Sequence, residues 1–204
     1  MKSSLKISAL ALAFAAFAFS AKAQTTTTTS TTTTTPTGVR YSIGVDGGLP
    51  IGNFKNGYNW SIGGSLQADI PVVSNQLFVT VNAGYNNFFG KKDIAITSPA
   101  DGTGVTASAP NIQLLPVKAG LKFFPVSNFY IQGDAGVAFA LNKSNVGFDK
   151  SAAFVWAPQI GYQFQLGGGN YIDAGVRYES TANFVTDEND SKVKFVGLRV
   201  AYGF

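Results

Sequence analysis

Residues 195–204 read FVGLRVAYGF, and this stretch decides what fold to expect. Val196, Leu198, Val200, Tyr202 and Phe204 occupy every second position and are all apolar or aromatic. The alternate set is small from position 197 onward, apart from one arginine. A period of two is typical of a β-strand with two different faces. The segment therefore predicts a strand with one apolar face and one face that is small and charged.

The same alternation recurs throughout the chain. Eight strands are predicted, at residues 39–49, 60–70, 77–89, 112–124, 129–141, 153–166, 170–179 and 193–204. The connections after the second, fourth and sixth strands are short, whereas those after the odd-numbered strands are longer and polar. This arrangement describes an all-β fold: a closed, antiparallel, up-and-down, eight-stranded transmembrane β-barrel, with both termini at the short-turn end.

Periodicity alone does not tell which face points inward, but composition favours an apolar exterior. The small face carries Gly, Ser, Gln and ionised groups that do not suit a soluble core, while Gly suits a crowded lumen. The apolar face has aromatic residues near both strand ends, as expected for two membrane interfaces. At the long-loop end they are Trp60, Tyr85, Phe139, Phe154, Trp156 and Tyr178, and at the short-turn end Tyr41, Phe123, Phe129, Phe164, Tyr202 and Phe204. The alternative is a soluble exported barrel that binds a lipophile in an apolar interior.

The first 37 residues predict export rather than folded structure. Residues 1–23 have a charged start, an apolar run of about 13 residues and an Ala21-Lys22-Ala23 cleavage site, which is typical of a Sec-type signal peptide. A transmembrane anchor would need a run of about 20 residues. Residues 24–37 are nearly pure threonine and predict a disordered linker, with a glycosylated stalk or a periplasmic tether as alternatives. Residues 38–204 are the expected barrel domain.

The inward-facing sets of the predicted strands supply five acidic and five basic residues. Buried charges persist only when they are paired and hydrogen-bonded, so an ion-pair core that fills the lumen is the first expectation. A gate around a narrow water path is the alternative. Arg177, Glu179 and Arg199 are expected to cluster because their strands are adjacent. The ten candidates are Arg40, Asp46, Asp69, Lys118, Lys122, Asp134, Asp173, Arg177, Glu179 and Arg199.

Composition argues against several functional classes. The chain has no His and no Cys, so no His relay, thiolate metal site or disulfide framework is available, and we expect no enzyme, metal or cofactor. The acidic run with Asp187, Glu188 and Asp190 is expected to be a solvated loop tip. Without the three lysines of the signal peptide, 12 basic residues face 11 acidic ones, so nucleic acid is not an expected partner.

The long loops are where specificity is expected. Six lysines lie near the outer rim and are candidates for contact with anionic lipopolysaccharide, with ordinary loop solubility as the alternative. Adhesion to extracellular or periplasmic proteins is a second binding hypothesis. The six are Lys91, Lys92, Lys143, Lys150, Lys192 and Lys194.

Three motifs resemble a known family. They are Gly-Gly-Leu-Pro-Ile-Gly-Asn-Phe at 47–54, Leu-Pro-Val-Lys-Ala-Gly-Leu-Lys-Phe-Phe at 115–124, and the ending Val-Gly-Leu-Arg-Val-Ala-Tyr-Gly-Phe at 196–204. Over residues 38–204 the chain resembles eight-stranded outer-membrane β-barrels of the OmpA/OmpX type, in the branch with a porin-like outer membrane protein β-barrel domain. Pro116 and Pro158 depart from ideal strands, and each implies a bulge or a position above the bilayer.

The resemblance implies location and biogenesis. It places the chain in the outer membrane of a Gram-negative bacterium, in contact with outer-membrane lipid and lipopolysaccharide. It also implies that Val200, Tyr202 and Phe204 form the terminal signal that the barrel-assembly machinery reads. The expected function is a small integral barrel with a structural or surface-interaction role. A narrow gated channel or lipophilic-ligand conduit is the alternative.

Overall fold

The computed structural model describes residues 38–73, 76–92, 94–97, 104–186 and 191–204. The predicted signal peptide, the threonine-rich linker and the acidic run with Asp187, Glu188 and Asp190 lie outside these ranges.

Eight strands close into an antiparallel barrel. They are β1 (Arg40–Pro50), β2 (Tyr58–Val73), β3 (Leu77–Gly90), β6 (Ile112–Phe123), β7 (Phe129–Ala140), β8 (Ala152–Gly167), β9 (Asn170–Thr181) and β10 (Lys194–Gly203). The order around the barrel is β1-β10-β9-β8-β7-β6-β3-β2, with β2 returning to β1. The predicted up-and-down barrel is therefore confirmed, and each strand boundary lies within three residues of its predicted position.

The barrel closes where the two ends of the domain meet. Strands β1 and β10 pair from Ser42 opposite Gly203 to Pro50 opposite Phe195. Beyond the last strand residue, Tyr41 and Phe204 exchange two backbone hydrogen bonds, with N···O distances of 3.1 and 2.9 Å. No sheet edge is left unpaired in this barrel, so the edge pairing that drives aggregation is absent.

The long connection between β3 and β6 was expected to be a loop, and this expectation is wrong in part. It contains a separate two-stranded antiparallel sheet of β4 (Ile94–Thr97) and β5 (Gly104–Ala107). Both strands are rich in β-branched residues, which favour extended backbone. Two single-turn helices lie in other long connections, α1 (Phe54–Gly57) and α2 (Lys143–Val146).

The two prolines inside barrel strands do not produce bulges. Pro116 pairs regularly with Ala138 on β7, and the β3–β6 ladder lacks only the pairs between Ala83–Val117 and Asn86–Leu114. Pro158 likewise pairs with Gly133, and the β8–β9 ladder is interrupted beside it without a register shift. Since proline has no N–H to donate, the ladder loses bonds on one side and keeps its register. The expectation of a bulge is therefore wrong.

The faces of the strands point as composition indicated. Along β10 from Phe195 to Gly203 the even-numbered residues are exposed and the odd-numbered ones are buried. The exterior carries large apolar side chains on every barrel strand, while the buried interior holds most of the charged residues of the strands. No helix among the described residues is long and apolar enough to cross a membrane.

Candidate functional site

All ten sequence-predicted lumen residues lie inside the barrel. Nine are at most 4% exposed, and the tenth, Arg40, has a side chain that is 18% exposed. The structure joins nine of them into two clusters of ion pairs at different heights. The upper cluster, nearer the long loops, is Asp46, Lys118, Arg177 and Glu179, and the lower cluster is Arg40, Asp69, Lys122, Asp173 and Arg199.

The upper cluster is electrically balanced, with two acids and two bases. Lys118 Nζ donates a hydrogen bond to Glu179 Oε2. Arg177 Nη2 donates to Asp46 Oδ1 at 2.7 Å, and Arg177 Nε lies 3.5 Å from Glu179 Oε2. These contacts connect β1, β6 and β9, so the cluster ties together strands that are not neighbours in the barrel.

The lower cluster has three bases for two acids. Lys122 Nζ donates to Asp69 Oδ2 at 2.7 Å and lies 3.8 Å from Asp173 Oδ2. Arg40 Nη2 lies 3.6 Å from the same Asp69 oxygen. Arg199 Nη1 lies 3.5 Å from Asp173 Oδ1. The lower cluster therefore carries one excess positive charge.

Arg177 and Glu179 belong to one cluster, but Arg199 does not join them, so the expected grouping is wrong for Arg199. Its guanidinium donates to Ser65 Oγ and Ser42 Oγ, both at 3.0 Å, besides its contact with Asp173. Arg199 lies opposite Gly175 in the register with β9, so Asp173 and Arg177 are its two diagonal neighbours on that strand, and its guanidinium pairs with the acidic one.

Asp134 stands between the clusters without a basic partner within ion-pair distance among the described residues. Its Oδ1 accepts a hydrogen bond from Thr80 Oγ1 and its Oδ2 accepts one from Gln132 Nε2, both at 2.7 Å. Its negative charge matches the excess positive charge of the lower cluster. The ten lumen residues are thus neutral as a set, which is what a buried charge network requires.

Neutral polar groups connect the charged ones. Asp173 accepts hydrogen bonds from Tyr130 Oη at 2.8 Å and from Gln163 Nε2 at 3.0 Å. Gln67 Nε2 donates to Asp69 at 2.7 Å. The network is not satisfied at every atom. Among the described side chains, the buried atoms Arg40 Nε, Arg40 Nη2, Asp46 Oδ2, Gln159 Oε1 and Arg177 Nε have no hydrogen-bond partner, which burial penalises.

Aromatic rings form a floor at the short-turn end of the lumen. The floor consists of Phe78, Phe124, Tyr130 and Tyr171, with the guanidinium carbon of Arg40 lying 4.1 Å from the ring centre of Phe78. Arg40 also lies 5.5 Å from Phe124 and 5.3 Å from Tyr171. The cation is attracted to the faces of these rings.

An apolar lid closes the long-loop end, and the sequence analysis missed it. Phe88 contacts Phe195 with ring centres 5.1 Å apart, and Phe184 stacks on Phe148 at 4.5 Å. The signal was present, because Phe88 and Phe195 belong to the inward-facing sets at the ends of their strands. The lid residues are Phe88, Ile112, Leu114, Ala138, Ala140, Ala153, Val155, Phe184, Val193 and Phe195.

Glycines in the strands make room for the large rings. A Cβ on Gly161 would lie 2.4 Å from Cζ of Tyr130, and one on Gly203 would lie 2.1 Å from Cζ of Tyr171. Each glycine is the register partner of its ring on the neighbouring strand. The lumen of an eight-stranded barrel is only wide enough for packed side chains, so these bulky rings lie over positions without a side chain.

The long loops are fastened to one another above the lid. Lys150 N donates to Phe184 O at 3.0 Å, and Thr186 N donates to Asp149 Oδ2 at 3.0 Å. The loop between β7 and β8 is thereby held against the loop between β9 and β10. Nowhere in the described ranges do three His, Cys, Asp or Glu side chains converge as a metal site would require.

No protein-family model and no curated protein matches this sequence. Among solved structures, Ail, the attachment invasion locus protein of Yersinia pestis, is similar in a complex with the heparin analogue sucrose octasulfate. It shares 19% identity over 81% of this chain and 97% of its own, with a TM-score of 0.46. The outer membrane protein AlkL shares 13% identity over 89% of this chain and 96% of its own, with a TM-score of 0.49.

The N-terminal β-barrel domain of Pseudomonas aeruginosa OprF is also similar. It shares 12% identity over 81% of this chain and 97% of its own, with a TM-score of 0.42. All three are eight-stranded outer-membrane barrels. The class of fold of this chain, a closed eight-stranded antiparallel β-barrel, follows from its own strand order and register.

Proposed function

We propose that this chain is a small integral outer-membrane β-barrel with a structural or surface-interaction role and a lumen that does not conduct. The observation that carries the proposal is the inversion of a soluble fold: the exterior is apolar and the interior is charged. Exterior residues such as Ile43, Val45 and Leu198 are 55 to 62% exposed, while Lys118 and Arg199 are at most 2% exposed. A surface of this extent and chemistry needs lipid around it.

The aromatic residues support the same placement. Trp60 and Trp156 are exposed at the long-loop end, and Phe164 and Tyr202 are exposed at the short-turn end. Two such belts suit the two interfaces of a bilayer, where amphipathic rings are enriched. The soluble alternative needed an apolar interior for its lipophile. The interior is instead filled with charged and polar side chains, so that alternative does not fit.

The filled lumen supports a role other than transport. From the short-turn end, a solute would meet the aromatic floor, the lower cluster, the upper cluster and the apolar lid in turn. Each cluster connects strands across the lumen, which supports a filled rather than an open interior. Sieving pores of known type have about 16 strands or more.

The test is a planar-bilayer measurement on protein whose folding has been checked first. Refolded mature protein should migrate differently in cold and boiled SDS gels, as a closed detergent-stable barrel does. The same preparation should then give silent bilayers. Steady single-channel currents that change when Arg177 or Glu179 is neutralised would instead support the gated channel or conduit.

Surface interaction is assigned to the long loops in this proposal. Lys92, Lys143 and Lys150 are exposed there, and Lys143 Nζ also donates to the Asp149 carbonyl oxygen at 3.3 Å. Exposed ammonium groups beside the bilayer attract anionic headgroups, which supports contact with lipopolysaccharide. The loop surface should bind vesicles that contain lipopolysaccharide more tightly than vesicles of phosphatidylcholine alone. Lipopolysaccharide binding that is unchanged by Lys92→Met and Lys150→Met together would count against the contact.

Biogenesis completes the proposal. Val200, Tyr202 and Phe204 all point outward, with exposures of 47, 42 and 37%. An exposed face at the last strand is accessible to the barrel-assembly machinery before and during insertion, which supports its assignment as the terminal signal.

A further inference from the structure

A pocket of about 310 Å³ opens among the long loops, above the apolar lid. Its walls come from three connections, β1 to β2, β7 to β8 and β9 to β10, together with the first residues of β2 and β6. The pocket lies outside the charged lumen network, and it shares Ile112 with the apolar lid. Six apolar side chains line it: Phe54, Tyr58, Ile112, Val146, Phe148 and Val185.

The apolar wall is incompletely covered. Five of the six side chains are half-buried, and only Ile112, at 2% exposure, is fully buried. Phe54 and Tyr58 stack with ring centres 4.5 Å apart, which holds one wall flat. Part of this wall stays in contact with water, so an apolar occupant that covers it gains free energy.

One cation stands at the pocket edge. Lys192 lines the pocket, is half-buried, and makes no ion pair or hydrogen bond with any described residue. The other described residues of the wall carry no charge. An ammonium beside an apolar wall complements a ligand that has an anionic head and an apolar tail.

We propose that this outer-mouth pocket binds a small amphipathic anion, namely a straight-chain carboxylate, with its carboxylate on Lys192 and its chain along the aromatic and aliphatic wall. The volume is at the lower end of small-molecule sites, so a short chain fits better than a full lipid. The inference rests on the proposed function, because it needs the loops to face the outside of an inserted barrel.

The test is methyl NMR of the mature chain in phosphatidylcholine nanodiscs, with octanoate as the probe. The Ile112 and Val146 methyl groups report pocket occupancy, whereas those of Ile62 and Ile160, on the exterior, report partition of octanoate into lipid. We expect saturable shifts at the pocket methyls with only small, non-saturating shifts at the exterior pair. Octanol, of the same length and without charge, should bind more weakly.

The matched variants are Lys192→Met, which removes the charge and keeps the chain length, and Lys92→Met, which removes an exposed rim lysine outside the pocket. Lys192→Met should weaken octanoate binding about tenfold, since it removes one charge-assisted hydrogen bond. It should leave octanol binding unchanged, and Lys92→Met should change neither. Equal octanoate affinity in the two variants would overturn the proposal.

Two further results would also overturn it. One is unmoved pocket methyls in a barrel that shows the heat-dependent gel shift. The other is octanol binding as tightly as octanoate, which would make the occupant a neutral acyl chain. Failure of the proposed function is distinguishable, because a protein outside the membrane would show no gel shift at all.

Discussion

Arg177 on β9 donates a 2.7 Å hydrogen bond to Asp46 on β1, although β10 separates the two strands. Asp46 lies opposite Arg199 in the backbone register, yet its side chain pairs with Arg177. The contact therefore runs across the lumen rather than along the sheet. It links β1 to β9 and thereby stabilises, from inside the lumen, the closure of the barrel between β1 and β10.

Replacing one charged residue of this pair by a neutral one should destabilise the barrel. Asp46→Asn leaves the upper cluster with two bases and one acid, all buried. Removing one partner of a buried pair costs about 3 kcal/mol or more, so the free energy of unfolding should fall by that amount. Urea-dependent unfolding of the protein from lipid vesicles would measure it.

The control for this prediction is the double variant Asp46→Asn/Arg177→Met. It leaves no unpaired guanidinium, so Asp46→Asn should cost much less in the Arg177→Met background. Equal costs in both backgrounds would show that the pair does not couple the strands.

Two glycines in adjacent strands should differ in how strongly substitution by alanine destabilises the barrel. Gly161→Ala places a methyl group against Tyr130, whose hydroxyl bonds to Asp173, and overpacking of this kind costs about 1–3 kcal/mol. Gly133→Ala meets no atom within 4 Å and should be nearly neutral. The same unfolding measurement compares them. Similar values for the two variants would mean that the ring does not need the glycine.

The ring and the backbone of Phe204 should contribute separately to assembly. Phe204→Ala keeps the two backbone hydrogen bonds with Tyr41 but removes the terminal ring. Deletion of Phe204 removes the ring and the two hydrogen bonds. If the ring is the signal that the assembly machinery reads, both variants should reduce the outer-membrane yield several-fold. Refolding in detergent should be impaired only by the deletion. A normal cellular yield of Phe204→Ala would contradict the assignment of the ring.

A charge on the exterior should distinguish lipid from water. Leu198 is 55% exposed in the middle of β10, and Val126 is 66% exposed in the turn between β6 and β7. Leu198→Arg should destabilise the inserted barrel by about 2–4 kcal/mol, and Val126→Arg by much less, because the cost falls towards the interface. An unchanged stability of Leu198→Arg would place that face in water.

The sequence was informative about strands because each barrel strand has two chemically different faces. The alternation around Arg199 places the charged set on one face without any knowledge of the partner strand. The same alternation puts Lys118, Asp134 and Glu179 inside. A period of two is a local property of the sequence, so it can be read without knowing which strands pair in the folded protein.

The partners within the lumen were harder to predict. Arg199 bonds to Ser42, Ser65 and Asp173 rather than grouping with Arg177 and Glu179. The alternation places its side chain in the lumen but does not tell towards which end of the barrel the guanidinium extends. The lid was missed for a related reason. Phe184 lies in a loop that has no periodicity, and only the folded loops bring it onto Phe148.

The central claim is that the apolar exterior faces lipid, and the two tryptophans of the chain test it most directly. Trp60 and Trp156 are 46% and 45% exposed on the exterior at the long-loop end. In vesicles, lipids brominated high on the acyl chain should quench their fluorescence strongly, while iodide in the water should quench it weakly. Strong iodide quenching with no effect of brominated lipid would contradict the claim, because the face assigned to lipid would then be in water.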